Sequence, residues 1–235
     1  MLTCDDLTIA QGAFSLTANI GLPKGAVTAV MGASGAGKST LLAAIAGFAV
    51  PASGSVSYDG QDITTLAPGK RPVSVLFQDN NLFPHLSIAE NVGLGLRRNR
   101  ALKPSEKDAV TEVLGRVEIE ADFEERKPAQ LSGGQQSRVA LARLLLSELP
   151  VALLDEPFSA LGPALKDEML DLMRATLLGS GDATVLMVTH DPSDAKRSAD
   201  YVVWVENGAA APPRLTGEIF GDPPAGLRQY LGEMG

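Results

Sequence analysis

The stretch GASGAGKST at 32–40 constrains the fold of this 235-residue chain more than any other feature. It fits the pattern G-x-x-x-x-G-K-[ST], whose glycines let the backbone curl around phosphate oxygens. It follows an apolar run, AVTAVM, and opens a helical run, KSTLLAAIAGF at 38–48. That context predicts a phosphate-binding loop between a strand and the start of a helix. The residues predicted to surround the phosphates are Gly32, Ala33, Ser34, Gly35, Ala36, Gly37, Lys38, Ser39 and Thr40.

Two side chains of this loop have specific expected roles. Lys38 is predicted to reach the β- and γ-phosphates of a nucleotide, and Ser39 to bind Mg²⁺ through its hydroxyl. The loop therefore indicates a protein that binds a nucleoside triphosphate together with a divalent cation.

A second apolar run, VALL at 151–154, stops at two adjacent acids, Asp155 and Glu156. Neighbouring carboxylates raise each other's pKa, and burying both is unfavourable unless positive charge lies nearby. The Mg²⁺ of a bound nucleotide and Lys38 would supply that charge. Asp155 is therefore predicted to hold the ion through water. Glu156 is predicted to be the general base that orients and deprotonates the attacking water.

Composition excludes several classes of protein. The net charge of −8 and the pI near 4.8 argue against non-specific nucleic-acid binding, which usually needs a basic surface. A single cysteine, Cys4, excludes an intramolecular disulfide, and the acidic amino-terminal residues do not resemble a signal peptide. The most apolar run, 41–52, is shorter than the ~20 residues that a spanning helix needs. Any membrane role is therefore expected to come through a partner.

Strands alternate with helices over much of the chain, which predicts an α/β fold with a largely parallel sheet. The runs FSLTANI, AVTAVM, PVSVLF (72–77), TVLMVT (184–189) and YVVWV (201–205) are typical of strands, and Asp59-Gly60 is typical of a hairpin turn. The pattern becomes helical between 84 and 150. There, Ser105 followed by Asp108 resembles a capping box at a helix start.

The segment LSGGQ at 131–135 places Ser132 and two glycines before a helix, which is a second anion-binding geometry. Taken alone, it is also consistent with an ordinary helix N-cap followed by loop glycines. The order GASGAGKST, Gln78, LSGGQ, LLDEP and His190 resembles the ATPase subunits of ATP-binding cassette (ABC) transporters over nearly the whole chain. The resemblance implies ATP and Mg²⁺ as ligands and two copies of the chain that sandwich two ATP molecules head to tail.

The resemblance also implies roles for residues that composition does not single out. Gln78 would contact Mg²⁺ and the attacking water, and His190 would contact the γ-phosphate. The γ-phosphate held by one copy would be bound by the LSGGQ segment of the other copy, through Ser132, Gly133, Gly134 and Gln135. The other histidine, His85, has no such context and is expected at the surface.

The same family implies a P-loop NTPase core, an amino-terminal antiparallel β-subdomain and an inserted helical subdomain. The predicted division assigns 1–83 and 151–235 to the nucleotide-binding core with its β-subdomain, and 84–150 to the helical subdomain. No carboxyl-terminal regulatory domain is expected after YVVWVENG.

A narrower resemblance lies in VPASGSVSYDG (50–60) and in KRPVSVLFQDNNLFPHLSIAENVGLGL (70–96), which are similar to the ATPase subunits of bacterial thiamine importers. It implies a membrane permease as direct partner, a periplasmic substrate-binding protein as indirect partner, and a peripheral position on the cytoplasmic face of the inner membrane. Phe83, Pro84 and Leu86 are then either permease contacts or ordinary core residues.

Two departures from the family keep alternatives open. Gly162 occupies the place where the family usually has Asp, and no Tyr or Trp precedes Tyr58 to stack on adenine. Phe14 is the only aromatic residue near that place, and its strand context assigns it to the core. The alternatives are an importer ATPase for iron, polyamines or sulfate, and a weakly hydrolysing regulatory subunit. A chromosome-type ATPase is disfavoured because no long coiled coil separates the phosphate loop from LSGGQ.

Overall fold

The computed structural model describes residues 1–79, 81–96, 102–179 and 181–232. Within these ranges the strands are β1 (Leu2–Gln11), β2 (Phe14–Leu22), β3 (Ala26–Met31), β4 (Ser53–Tyr58), β5 (Gln61–Asp62), β6 (Val73–Leu76), β7 (Val151–Asp155), β8 (Thr184–Val188), β9 (Tyr201–Glu206), β10 (Ala209–Ala210) and β11 (Arg214–Leu215). The helices are α1 (Lys38–Ala46), α2 (Ile88–Gly93), α3 (Pro104–Arg116), α4 (Gly133–Leu146), α5 (Pro163–Leu177), α6 (Pro192–Ser198), α7 (Thr216–Gly221) and α8 (Ala225–Tyr230). Among these, no helix is both long enough and apolar enough to cross a bilayer.

The strands form one curled sheet in the order β5-β4-β1-β2-β10-β9-β3-β8-β7-β6, with β11 paired to β9. Strands β9, β3, β8, β7 and β6 run parallel to one another, whereas β1, β2, β4 and β5 pair antiparallel. The sheet is therefore parallel where the phosphate loop emerges and antiparallel toward the other edge. The predicted α/β class and antiparallel amino-terminal strands are confirmed.

The central strands have continuous apolar sequences because both faces of the sheet are covered. Every residue of β3 and β8 is buried. Alternate side chains of β3 enter different cores: Val27, Ala29 and Met31 pack with helices α4 and α5, and Val30 packs with α1 and strands β1 and β2. The central sheet is thus held rigidly from both sides, and its loops extend from a fixed edge.

Helices α2, α3 and α4 pack mainly against one another, and α4 also contacts α5 and β6. The helical texture predicted between 84 and 150 is confirmed, although the proposed capping box at Ser105 is wrong. Helix α3 begins one residue earlier, at Pro104, and the Glu106 carboxylate accepts a hydrogen bond of 2.8 Å from the backbone N–H of Lys103. Proline is favoured at the first helical position because its fixed φ suits the helix and its missing N–H is not needed there.

Sheet order decides which loops meet. Strand β3 lies beside β8, and β8 lies beside β7, all three parallel. The phosphate loop after β3, the acidic pair at the end of β7 and the histidine after β8 therefore emerge at one edge of the sheet. Ligands of parallel α/β sheets bind at this edge.

Candidate active site

The phosphate loop joins β3 to α1 through two glycines with positive φ, Gly35 at 77° and Gly37 at 108°. A Cβ atom at Gly37 would lie 2.8 Å from Cζ of Phe14, so a side chain there meets both backbone strain and a steric clash. The Lys38 side chain is buried and folds back across the loop. Its Nζ donates hydrogen bonds to the carbonyl oxygens of Gly32 (2.7 Å) and Ala33 (2.9 Å). The ammonium group therefore already lies at the mouth of the loop.

Ser39 and Asp155 form the second part of the site. The Ser39 hydroxyl donates to Oδ1 of Asp155 at 3.3 Å, which joins the first turn of α1 to the end of β7. Burial raises the pKa of Asp155, the Ser39 hydrogen bond opposes this shift, and the nearby Glu156 carboxylate adds to it. Burial likewise lowers the pKa of Lys38, while the negative charges of Glu156 and Asp155 oppose it. The buried charges of the site thus compensate one another.

Glu156 and His190 form the third part. Nδ1 of His190 lies 3.2 Å from Oε2 of Glu156, and the His190 side chain is 61% exposed. Glu156 has φ of 46° and the buried Phe158 has φ of 67°, both unusual for residues other than glycine. The backbone N–H of Glu156 donates to the carbonyl of Val188 at 3.1 Å and so anchors the turn to β8. Such strain persists where the surrounding structure fixes the chain, and it is common at functional sites.

The loop after His190 is held by a salt-bridge network. Nζ of Lys166, on α5, lies 2.7 Å from Asp191 and 2.7 Å from Asp194. The Thr189 hydroxyl donates to Asp194 at 2.8 Å. Hydrogen bonds from Lys166 and Ser193 lower the pKa of Asp191 to about 2. The helix that follows Gly162 is therefore tied directly to the loop that carries the histidine.

A cavity of about 710 Å³ brings Glu156 and His190 together with Lys38, Ser39 and four other residues of the phosphate loop. Its lining consists of Gln11, Phe14, Ser34, Gly35, Gly37, Lys38, Ser39, Thr40, Glu156, His190 and Tyr230. A second cavity of about 720 Å³ adjoins it and is also bordered by Ala33 and Ala36 of the phosphate loop. The site thus offers N–H donors, an ammonium group, a hydroxyl, a carboxylate and an imidazole around one space.

Gly32 and Asp155 do not line this cavity, although they bond to Lys38 and Ser39, which do. Two further predicted groups, Gln78 and the LSGGQ segment, also lie outside it. Gln78 is exposed just after β6 and does not line it. Ser132 is the N-cap of α4: its hydroxyl accepts from the N–H of Gln135 at 3.3 Å, and the Gln135 side chain accepts from the N–H of Ser132 at 2.9 Å. Gly133 and Gly134 form the first turn of α4. A Cβ at Gly134 would lie 2.6 Å from Leu165, so this glycine also permits close packing against α5.

Sequence reasoning missed or misjudged three features near the site. Phe14 packs against the core as predicted, but it also lines the cavity beside Gly37. Tyr230 lines the same cavity from α8, and no local pattern marked it. Lys166 was also missed, although its place in the first turns of the helix after the acidic pair was a usable signal. Phe83 and Pro84 are exposed, which argues against core packing for these two, whereas Leu86 is half-buried and fits either interpretation. His85 is exposed, as predicted.

Comparison with known proteins is consistent with this geometry. The sequence profile of the ABC transporter family matches residues 17–159. The thiamine import ATP-binding protein ThiQ of Ruegeria sp. (strain TM1040) is 52% identical over 99% of this chain and 100% of its own length. The protein of the same name from Cereibacter sphaeroides is 53% identical with the same coverage. The dimeric structure of MJ0796, a bacterial ABC transporter cassette, matches with a TM-score of 0.77 and 30% identity over 92% of this chain and 99% of that one.

These similarities extend over the whole fold and not over the phosphate loop alone. A phosphate loop by itself occurs in many unrelated nucleotide-binding proteins. Here the match to the solved cassette covers 92% of the chain, which is far more than the phosphate loop and its flanking elements. This chain belongs to the ABC transporter family, as an ATP-binding cassette.

Proposed function

We propose that this chain is the ATP-hydrolysing subunit of an importer, and that the imported solute is thiamine. The observation that carries the first part is the cavity that gathers Lys38, Ser39, Glu156 and His190 at one sheet edge. The solute is inferred from relatives named for thiamine import that are about half identical over their full length. Iron, polyamines and sulfate are the alternative solutes.

In this proposal the chain's own groups bind and orient the nucleotide. The N–H groups at the start of α1 and the Lys38 ammonium bind the β- and γ-phosphates. Glu156 accepts a proton from the attacking water, and His190 donates a hydrogen bond to the γ-phosphate. The strained turn at Glu156 places its carboxylate 3.2 Å from the imidazole of His190. Preorganisation of this kind lowers the reorganisation that the reaction requires.

The donor set also fits Mg²⁺. The Ser39 hydroxyl and the Asp155 carboxylate lie 3.3 Å apart beside the phosphate loop, and both are oxygen donors. Mg²⁺ typically takes one or two protein oxygens and completes its shell with water and phosphate oxygens. When bound, the ion would offset phosphate charge. Gln78 is proposed as a further ligand, which requires its loop to move toward the cavity.

A second copy is proposed to complete the site. Ser132 caps α4, and Gly133 and Gly134 form its first turn outside the cavity, where backbone N–H groups have no carbonyl partner within the helix. The amino terminus of a helix of this length attracts anions. The ATP held by one copy would therefore be covered by the LSGGQ segment of its partner, and a solved cassette that matches this fold is dimeric.

An exposed apolar surface suits the permease. The side chains of Phe48 and Val50 are 59% and 87% exposed, and Phe83 is 46% exposed. The Phe48 ring lies 6.1 Å from that of Phe77, at the end of β6. Contiguous exposed apolar patches on a protein surface mark interaction sites. We infer that the permease binds here. That contact would place the chain at the cytoplasmic face of the membrane. We also infer that 84–150 forms the helical subdomain.

ATPase measurements on the purified chain test the catalytic part. We expect Mg·ATP turnover per subunit to rise with protein concentration and to be lost in Glu156→Gln, which keeps the size of the side chain. A matched control, Glu148→Gln, changes an acid that lies outside the cavity and should retain activity. Activity that survives in Glu156→Gln would contradict the assignment of the general base. An inactive wild type that still binds ATP, even with its permease, would favour the regulatory alternative.

Mixing two inactive variants tests the shared site. Gly133→Asp places a negative charge where the partner's γ-phosphate would lie, and its Cβ has room because Leu161 is 3.8 Å away. In a mixed dimer of Gly133→Asp with Glu156→Gln, one of the two sites has every functional group intact. Random assortment should therefore recover about a quarter of the wild-type rate when the two sites act independently. A mixture with no more activity than its components would contradict that arrangement.

Uptake tests the solute. Cells that lack this subunit should lose uptake of radiolabelled thiamine, and wild-type chain but not Glu156→Gln should restore it. Unchanged thiamine uptake with lost uptake of iron, a polyamine or sulfate would replace the solute and keep the ATPase assignment.

A further inference from the structure

The short helix α8 is packed firmly against the end of β9. Leu227 is fully buried, and the ring of Tyr230 meets that of Trp204 edge to face with centroids 5.5 Å apart. Gly226 lies directly against the Glu206 carboxylate, where a Cβ would come within 1.9 Å of it. The helix is therefore held in one place by an apolar anchor, an aromatic contact and a close backbone approach.

From this position Tyr230 reaches the loop that carries the histidine. Its hydroxyl donates a hydrogen bond to the backbone carbonyl of His190, 40 residues away in sequence. The same side chain lines the cavity formed by Lys38, Glu156 and His190. Burial, together with the negative charges of Asp191 and Glu156, raises the pKa of Tyr230. The hydroxyl therefore remains a donor throughout the neutral pH range.

His190 depends on its backbone for orientation. Its side chain is 61% exposed, and the ring contact in the described part of the chain is the one to Glu156. An exposed imidazole has two rotatable bonds, so a defined ring position requires a fixed main chain. The Lys166 network fixes the residues after His190 from α5, and Tyr230 fixes its carbonyl from the other side.

We propose that Tyr230 is a positioning residue for His190, so that helix α8 forms part of the catalytic machinery. The proposal rests on the proposed function in one respect, the role of His190 in hydrolysis. Loss of the tyrosine hydroxyl would free the carbonyl and let the imidazole leave the place where the γ-phosphate is expected. The effect should fall on turnover and not on nucleotide binding, because the hydroxyl makes no bond to the phosphate loop.

The test is Tyr230→Phe, which removes one hydroxyl and keeps the ring on Trp204. The matched control is Tyr201→Phe, at the start of β9, the strand that carries Trp204. We expect kcat for ATP to fall about 3- to 10-fold in Tyr230→Phe, as for loss of one hydrogen bond, with KM within about twofold of wild type. Tyr201→Phe should match wild type in both parameters. Tyr230→Phe is also made in a His190→Ala background. If it lowers kcat there by the same factor as in wild type, the proposal is overturned, because the effect does not depend on the histidine.

A spectroscopic readout separates failure of this proposal from failure of the proposed function. The chain has two histidines, His85 and His190, so replacing one of them assigns the imidazole C–H NMR signals of both. At fixed pH and without nucleotide, Tyr230→Phe should shift or broaden the His190 signal and leave the exposed His85 signal unchanged. An unchanged His190 signal would overturn the positioning role, whether or not the protein hydrolyses ATP. A changed signal in a protein without ATPase activity would support the contact and reject the function.

Discussion

Arg71 is expected to be one of the largest single contributors to the stability of the nucleotide-binding fold. The residue is 4% exposed, and its guanidinium donates to four backbone carbonyls: Ala44 at 2.7 Å, Ile45 at 2.8 Å, Leu66 at 2.9 Å and Thr64 at 2.6 Å. The first two belong to the last turn of α1, the helix whose other end binds phosphate. The last carbonyls of a helix lack partners within the helix, and a positive charge there also offsets the helix dipole.

The magnitude follows from these contacts. In Arg71→Met the Ile45 carbonyl stays buried without a donor, at a cost of about 1–3 kcal/mol. The Ala44 carbonyl keeps the 3.2 Å hydrogen bond from the N–H of Gly47 and loses the charged one, at a cost of about 1.5 kcal/mol. The carbonyls of Thr64 and Leu66 are only partly buried and regain water, and the desolvation cost of the guanidinium is recovered. We therefore expect the free energy of unfolding to fall by about 3 kcal/mol. For a chain of this size that corresponds to a decrease in Tm of about 6–12 °C.

Urea unfolding followed by circular dichroism measures this change, with thermal melts in parallel. Lys70→Met is the matched control, since it removes the neighbouring exposed cation and should change stability by less than about 0.5 kcal/mol. A loss below about 1 kcal/mol in Arg71→Met would refute the reasoning, because it would mean that water or a shifted α1 replaces all four bonds at little cost.

Three further changes test other parts of the structure. Gly162→Asp should stabilise the fold by about 0.5 kcal/mol in urea unfolding, because Gly162 is the N-cap of α5 with no side-chain cap and an added Cβ meets nothing; a loss of stability would contradict this. Gly37→Ala should lower the affinity for a fluorescent ATP analogue at least tenfold, since φ is 108° and the new Cβ would contact Phe14; unchanged affinity would show that the loop adapts. The pKa of Asp191 is lowered to about 2, so its stabilising effect is complete above its ordinary value near 3.8 and is lost as pH falls toward 2. Allowing for its 35% exposure, about 1–2 kcal/mol of the unfolding free energy should be lost between pH 5 and pH 2. Lys166→Met should reduce that dependence, and the part that remains is due to the hydrogen bonds from Ser193.

Local sequence patterns predicted the turns, the phosphate loop and the buried strands, because each of these depends on residues that are adjacent in sequence. The phosphate loop needs glycines at positive φ beside a helix start, and those residues are contiguous. Asp59-Gly60 forms the predicted hairpin turn with φ values of 50° and 78°, and Asn207-Gly208 forms the same kind of turn. Continuous apolar runs correctly marked the buried parallel strands.

Contacts between distant segments left no such pattern. Tyr230 reaches His190 only because β9 and α8 bring the end of the described chain back to the sheet edge. The pairing of Lys166 with Asp191 and Asp194 depends on how α5 packs against α6, which periodicity does not reveal. Phe14 was assigned to the core from its strand alone, whereas its exposure to the cavity depends on the path of the phosphate loop. The capping box predicted at Ser105 was wrong because Pro104, which favours the first position of a helix, precedes it and begins α3.

The order of strands has a consequence for synthesis on the ribosome. Strand β3 is central in the finished sheet, yet both of its hydrogen-bonding neighbours, β8 and β9, follow it by more than 150 residues. Until residues 184–206 have left the exit tunnel, a largely apolar strand has no partner on either side, and such segments are prone to associate with other chains. Nascent chains of this protein that stall before β8 should therefore be strong substrates for chaperones, while those that have passed β9 should not.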